Sequence, residues 1–444
     1  MNLIYIVVAI CVVMNCSLAF AIDVGAELGA SPFVTEIALT LKEAMDAAVD
    51  HNPTVRLARE KVEAAKAEAL TQFGALLPNV SSTVRQSKQT LFLGTLGLAP
   101  VRSHPFSVFD ARTTASQSIF SLNLIQRWQA SRAALKVSEM ESQTAKFDMM
   151  AEVGLDYIEA LKAQASVKAH TANAEVLEEL LKTFNRRQGS GMAAGLDIAR
   201  LEGQLENERQ QLIAAEYEAE RLKFKLIQGL GISFEVRLSL TDTLRAGDSE
   251  SGPTLENAVE TAMQNRVEVQ AQAKRIQTAS LKFKSTTSER LPSLVAQGDY
   301  GLIGNRWSNT LDTYNVGLFL NIPIFDGGQR EGRIREARSE FRQEEIKMQV
   351  VANQVRLEVR DAIVTAASGR RQWSTAQAGL RAAMTELSIA RERFSILSST
   401  TSFELANALF SVVRARENLI EALFRFNAGR VHLARALGKL EDFR

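Results

Sequence analysis

The chain has 444 residues, 46% of them apolar and 23% charged, the composition of a folded protein rather than a disordered one. Its 52 basic and 51 acidic residues leave a formal charge of +1, so there is no cationic surplus to hold a nucleic-acid backbone. Both cysteines, Cys11 and Cys16, fall within the first 21 residues, which excludes disulfide scaffolds and cysteine chemistry from everything that follows.

Residues 1–21 read as a signal peptide. They hold no charged residue, carry an apolar run from Leu3 to Met14, and end in the small-x-small pattern Ala19-Phe20-Ala21. The Lys or Arg that usually precedes such a run is missing, so a retained anchor is the alternative. The run is shorter than the ~20 apolar residues that spanning needs. Cys16 is a poor lipidation site, because Val13-Met14-Asn15 does not match the small-residue box that processing requires.

A first structural repeat occupies 22–250. It opens with a helix, which gives way at Leu77-Pro78 to a hairpin over about 80–120. Long helices follow over about 123–188 and 196–230. None of the eight prolines falls between Phe106 and Gly252 or after Ile324, and proline costs ~3 kcal/mol inside a helix. Leu177, Leu180, Leu181 and Phe184 recur at i, i+3, i+4, i+7. A helix of about 60 residues is ~90 Å long, a rod rather than a core element.

The second repeat, 251–444, has the same order. A helix runs to Leu291-Pro292, and a hairpin over about 293–325 follows, with strands at 294–303 and 313–325 around a turn-rich stretch at 304–312. Tyr314, Val316, Leu318, Leu320, Ile322 and Ile324 alternate with Asn315, Gly317, Asn321 and Pro323, Phe319 being the exception. Such alternation suits a strand with lipid on one side and a polar interior on the other. A half-buried strand of a soluble sandwich alternates too, and the pattern leaves both open. Helices over about 329–396 and 402–437 complete the repeat, with a coiled-coil seam at Leu405, Leu409, Val412, Leu419 and Leu423.

The halves align without gaps at both ends. Leu41-Lys42-Glu43-Ala44 matches Leu255-Glu256-Asn257-Ala258 at an offset of 214, which also carries Leu77-Pro78 onto Leu291-Pro292. An offset of 207 carries Leu230-Gly231 onto Leu437-Gly438. The fold class expected is mainly α, with a transmembrane β portion if the alternating strands face lipid. Two hairpins give four strands, too few to close a barrel, and an open edge is not tolerated in lipid. Three copies would supply twelve.

The paired Leu-Pro junctions, the motif Ile324-Phe325-Asp326-Gly327-Gly328-Gln329-Arg330 and the Leu-Gly ends resemble the TolC-type outer-membrane factor (outer membrane efflux protein) family over nearly all of the chain after residue 21. Pro78, Pro292, Gly327 and Gly328 then mark strand–helix junctions, the two glycines permitting backbone angles closed to other residues. The resemblance implies a homotrimer with a 12-stranded barrel in outer-membrane lipid, a mixed α/β belt and a 12-helix periplasmic barrel. It implies a passive, gated exit duct of tripartite efflux or type I secretion in a Gram-negative-type cell. Partners would be a periplasmic adaptor (membrane fusion) protein and an inner-membrane pump of RND, ABC or MFS type. The turns at 188–195 and 398–402 would face the pump.

The family's acidic entrance pair falls on Glu404 and Asn407, with Asp197 and Arg200 at the first-half equivalents. Three copies of Glu404 would form a cation-favouring ring. Asn407 departs from the acidic pattern and implies a weaker ring, and Leu397 stands where the family often has Gly. Asp197 and Glu404 also read as first-turn capping acids, a role compatible with the first.

No enzyme motif appears. His51, His104, His170 and His432 have no ligand spacing, and the glycine-rich 189–195 follows a helix and lacks a Walker lysine. The chain is therefore read as a non-enzyme with no cofactor or metal. The alternative function is a periplasmic coiled-coil structural or tethering protein without a pore, which accounts for the rods but not for the alternating hairpins.

Overall fold

The computed structural model describes residues 36–97, 99–188, 195–246, 253–396 and 402–441. The expected signal peptide, with Cys11 and Cys16, lies outside the described residues, as do 189–194 and 398–401 of the two expected helix–helix turns.

The chain runs through β1 (Glu36–Leu39), α1 (Leu41–His51), α2 (Pro53–Gly74), β2 (Asn79–Gln89), β3 (Phe106–Phe120), α3 (Leu122–Gln188) and α4 (Gly195–Leu230). It continues through β4 (Arg237–Leu240), α5 (Leu255–Asn265), α6 (Val267–Thr287), β5 (Ser293–Arg306), β6 (Asn309–Asn321), α7 (Gln329–Ile396) and α8 (Ser402–Leu437). The rods α3 and α7 have 67 and 68 residues, ~100 Å each. Among the described residues no helix is long and apolar enough to cross a membrane.

The single opening helix expected in each half is two. Thr40 caps α1 in a reciprocal box with Glu43. Asn52 ends that helix and caps the next, its Oδ1 accepting from Thr54 N at 2.7 Å while Pro53 takes the first helical position. In the second half Arg266, in extended conformation, makes the same break without a proline.

The Leu-Gly ends dock on these breaks. Gly231 and Gly438 have φ of 71° and 68°, a region that glycine enters freely. A Cβ on Gly231 would stand 2.7 Å from the carbonyl oxygen of His51, and one on Gly438 would stand 3.2 Å from Asn265 C. Each half thus closes its last helix onto its own first break.

Strands β1 and β4 pair in parallel as a two-stranded belt; four residues are too few for an alternation to register. Tyr157 Oη, with the Tyr157 side chain fully buried, donates to Leu39 O at 2.8 Å and to Asp242 Oδ2 at 3.1 Å, and Leu41 N donates to the same carboxylate oxygen at 2.7 Å. Around this belt Ala44, Val153, Leu226 and Leu230 form the main apolar core. A smaller counterpart in the second half holds Ala258, Ala262, Val355 and Val359.

The four long strands form one antiparallel sheet, ordered β2–β3–β5–β6, so the two hairpins join through β3 and β5. The β5–β6 hairpin is tighter than expected. Cross-strand pairing takes in most of the turn-rich 304–312, leaving Trp307 and Ser308 as the turn, with a bulge between Gly304 and Arg306. Gly304 fits because its backbone lies against Asn309 O, where a Cβ would stand 1.9 Å away. Strand β6 ends at Asn321 rather than 325, just before the donor-free Pro323.

Candidate functional site

The sheet has two unlike faces. Directly opposed residues in antiparallel strands share a face, so the register sorts them. Tyr300 opposes Tyr314, Gly298 opposes Val316, Ala296 opposes Leu318 and Leu294 opposes Leu320. Across β3 this face continues through Ala111 and Ala115 to Val84 and Val80. It is an apolar wall at its centre, where the Ser82 and Thr113 hydroxyls satisfy each other at 2.8 Å, with Gln117 opposite Ala296 and Asp312 opposite Leu302 toward its ends.

The other face is polar at its centre. The Arg112 guanidinium bonds Asp299, reaches Asp110 at 3.4 Å and donates to Thr313 Oγ1 at 3.1 Å. Asp299 opposes Asn315, and Gln297 opposes Gly317. At its two ends the face turns apolar, with Ile303 opposite Leu311 and Val295 opposite Phe319. The outer edges of β2 and β6 pair with nothing among the described residues.

The junctions that carry the sheet onto the rods are built from the residues singled out in the sequence. Pro78 and Pro292 stand immediately before β2 and β5. Gly327 and Gly328 have φ of 68° and 86°. Asp326 Oδ2 accepts from Arg330 N at 3.0 Å at the start of α7. The Arg330 side chain is buried and donates to Pro323 O at 3.2 Å and Glu289 O at 3.4 Å. Arg330 therefore braces strand exit, helix start and the neighbouring turn together, a role its place in the motif did not reveal.

At the far ends of the rods, α3/α4 and α7/α8 pack through one apolar cluster that includes Leu177, Ile198, Leu201, Leu405 and Ala408. The rings of Phe184 and Phe394 stack across it at 5.1 Å. Three of the four expected entrance residues meet here, since Asp197, Arg200 and Asn407 line one small crevice. Arg200 lies 3.8 Å from Asp197. Glu404 does not join them; it faces Arg393, at 3.7 Å, on its own hairpin.

Further along the rods, buried polar side chains tie the two hairpins. His170 Nδ1 lies 2.8 Å from Glu208 Oε1, Asn173 Nδ2 donates to the same oxygen at 3.0 Å, and Arg416 donates to Asn173 Oδ1 at 2.8 Å. Sequence reading set His170 aside because its partners come from three helices, a grouping that spacing along one helix cannot signal.

A sheet apolar on one face, polar on the other, open at both edges and mounted on rods is the protomer of a membrane channel. The chain belongs to the outer membrane efflux protein family, whose model matches residues 44–231 and 258–439. This is a family of outer-membrane channels rather than enzymes, and it places the sheet in the outer membrane and the helical part in the periplasm.

Protein CyaE of Bordetella pertussis is 24% identical over 69% of this chain and 65% of its own length. The pyoverdine export outer membrane protein OpmQ of Pseudomonas putida is 23% identical over 69% of this chain and 66% of its own. The chain thus spans just under two thirds of these two relatives. Among solved structures, the Campylobacter jejuni CmeC outer membrane channel superposes with a TM-score of 0.79 at 19% identity, covering 90% of this chain and 86% of CmeC.

Proposed function

We propose that the chain is the exit duct of a tripartite efflux or type I secretion system, passive and gated, receiving substrate from an inner-membrane pump through a periplasmic adaptor. The observation that carries this is the two-faced sheet with both edges unpaired. In lipid those edges must be filled, and copies of the same chain fill them, three giving a twelve-stranded barrel.

The helices support the same closure. Within a protomer the lower rods pack in the order α4–α3–α8–α7, which leaves α4 and α7 at opposite ends. Both carry exposed apolar side chains, Ile213, Tyr217 and Phe224 on α4 and Val364, Met384 and Ile389 on α7. Unlike edges joining head to tail close a ring when the rotation fits. A pore-free tether would leave both stripes and the apolar sheet wall bare. Membrane fractionation and semi-native electrophoresis test the reading. A heat- or SDS-sensitive trimer in the outer-membrane fraction is expected, with conductance in planar bilayers, and a soluble monomer would defeat it.

Asp197, Arg200, Glu404 and Asn407 are proposed to line the periplasmic entrance. What supports this is their place at the rod ends and the crevice that three of them share. Glu404 is exposed and adds three carboxylates around the axis, each offset by Arg393. Glu404→Ala is expected to lower cation preference modestly, read as a shift of reversal potential in a salt gradient; unchanged selectivity removes the residue from the constriction. The cargo is left to the pump; OpmQ is named for pyoverdine export, so a siderophore is one class, alongside drugs, metals and polypeptides.

A further inference from the structure

Directly beneath the sheet the wall of each protomer is a layer of four helices in the order α2–α3–α6–α7. One groove touches all four, through Glu68, Arg127, Lys282 and Arg333 among others. A groove shared by four side-by-side helices lies on the concave side of their layer, the side that faces the axis once the ring closes. Helical residues advance ~100° each, which places Leu70 and Phe73, Trp128 and Arg132, Phe283 and Lys284, Arg335 and Arg338 on the convex outside.

That outside is aromatic and basic. Arg132 stands 5.2 Å over the Trp128 ring, Phe73 meets Trp128 at 5.4 Å, and Arg338 stands 5.5 Å over Phe283. Arg132, Lys284, Arg335 and Arg338 are all exposed and make no ion pair among the described residues. By contrast Arg290 and Arg333, close by, are paired with Glu331 and Glu289. At 1.5 Å per residue the four unpaired cations lie within about 15 Å of the sheet. Between them and the apolar wall, Ile324 and Phe325 are 90% and 85% exposed.

The geometry points to a lipid-docking collar in which Arg132, Lys284, Arg335 and Arg338 hold the phosphates of anionic glycerophospholipids in the periplasmic leaflet. This rests on the reading of the sheet as the membrane span. Guanidinium groups grip phosphate in bidentate fashion, and aromatic and basic side chains with apolar stems sit at the headgroup level. The collar continues the lipid-facing wall downward, so its occupant is the same bilayer.

The test uses the purified full-length trimer in nanodiscs of mixed phosphatidylcholine and phosphatidylglycerol, with retained lipid counted by mass spectrometry. Wild type is expected to retain phosphatidylglycerol about fivefold over its share, the factor that roughly one basic residue's attraction to an anionic surface supplies, and to lose it in high salt. The variant R132Q/K284Q/R335Q/R338Q is expected to retain lipid in the ratio supplied. Equal enrichment in the variant overturns the collar, as does preferential retention of lipid A, which belongs to the opposite leaflet, or capture of an acidic protein partner by this face in place of lipid. Should the variant not assemble, the wild-type salt titration decides, and salt-insensitive retention overturns it. Conductance in pure phosphatidylcholine reports separately on the channel reading.

Discussion

Val316→Arg is expected to deplete the assembled trimer severely, whereas Asn315→Arg, one residue away, leaves it assembled and moves its ion preference toward anions. Val316 lies near the middle of β6 on the apolar wall and is 80% exposed in the single chain, the exposure expected of a side chain that lipid covers. An arginine on the lipid face at the bilayer midplane costs about 2–4 kcal/mol, and a threefold assembly incurs that cost three times. Asn315 points the other way, opposite Asp299, into a polar interior where a guanidinium meets a carboxylate and water. Three added cations there repel cations from the lumen.

The measurements are trimer recovered in the outer-membrane fraction for both variants and reversal potential in a salt gradient for N315R. The comparison within one strand matters because both variants add the same bulk and charge to neighbouring backbone. A Val316→Arg channel that assembles like wild type, or an Asn315→Arg variant that alone fails, reverses the faces of the sheet and with them the closure of the barrel.

The faces were legible because β6 repeats every two residues over a long stretch, and the rods because proline is absent where an interior helix excludes it. The offsets of 214 and 207 made the repeat readable before any coordinate. Less legible were features that depend on pairing at a distance. Strands β1 and β4 lie about two hundred residues apart and are four residues long, so neither has a periodic signature. Turn-like composition at 304–312 was overridden by cross-strand pairing. Gly231 and Gly438 stood out as the ends of the halves, but that each needs a missing Cβ against the first-helix break follows only from the packing. The candidate entrance residues were placed by resemblance alone, and resemblance did not indicate that Glu404 faces Arg393 on the adjacent rod.

The same limit applies to the ionic hub that joins four helices at the break of the second half, where Glu268→Gln is expected to cost about 3 kcal/mol per protomer at neutral pH. Arg266 and Arg435 both bond Glu268, and they reach Glu358 and Asp148 in turn, so one carboxylate links α6 to α8 and, through the arginines, to α7 and α3. Burial raises the Glu268 carboxyl, but the two guanidiniums overcome it and hold it at about 2, against an ordinary value of 4.5. A depressed carboxylate stabilises the fold in full above its unfolded value and loses that contribution as pH falls through the folded one. A shift of that size corresponds to about 3 kcal/mol, and removing one partner of a buried pair costs a similar amount by stranding the other. The difference between wild type and E268Q is therefore expected to be nearly full at pH 5 and above, to shrink below pH 4.5, and to be largely lost near pH 2, where the wild-type side chain is half protonated. Denaturant unfolding followed by helical circular dichroism across that range measures it. A difference that persists unchanged at pH 2 would mean that the substituted amide disturbs packing rather than charge, and the hub would lose its role as the electrostatic joint between the halves.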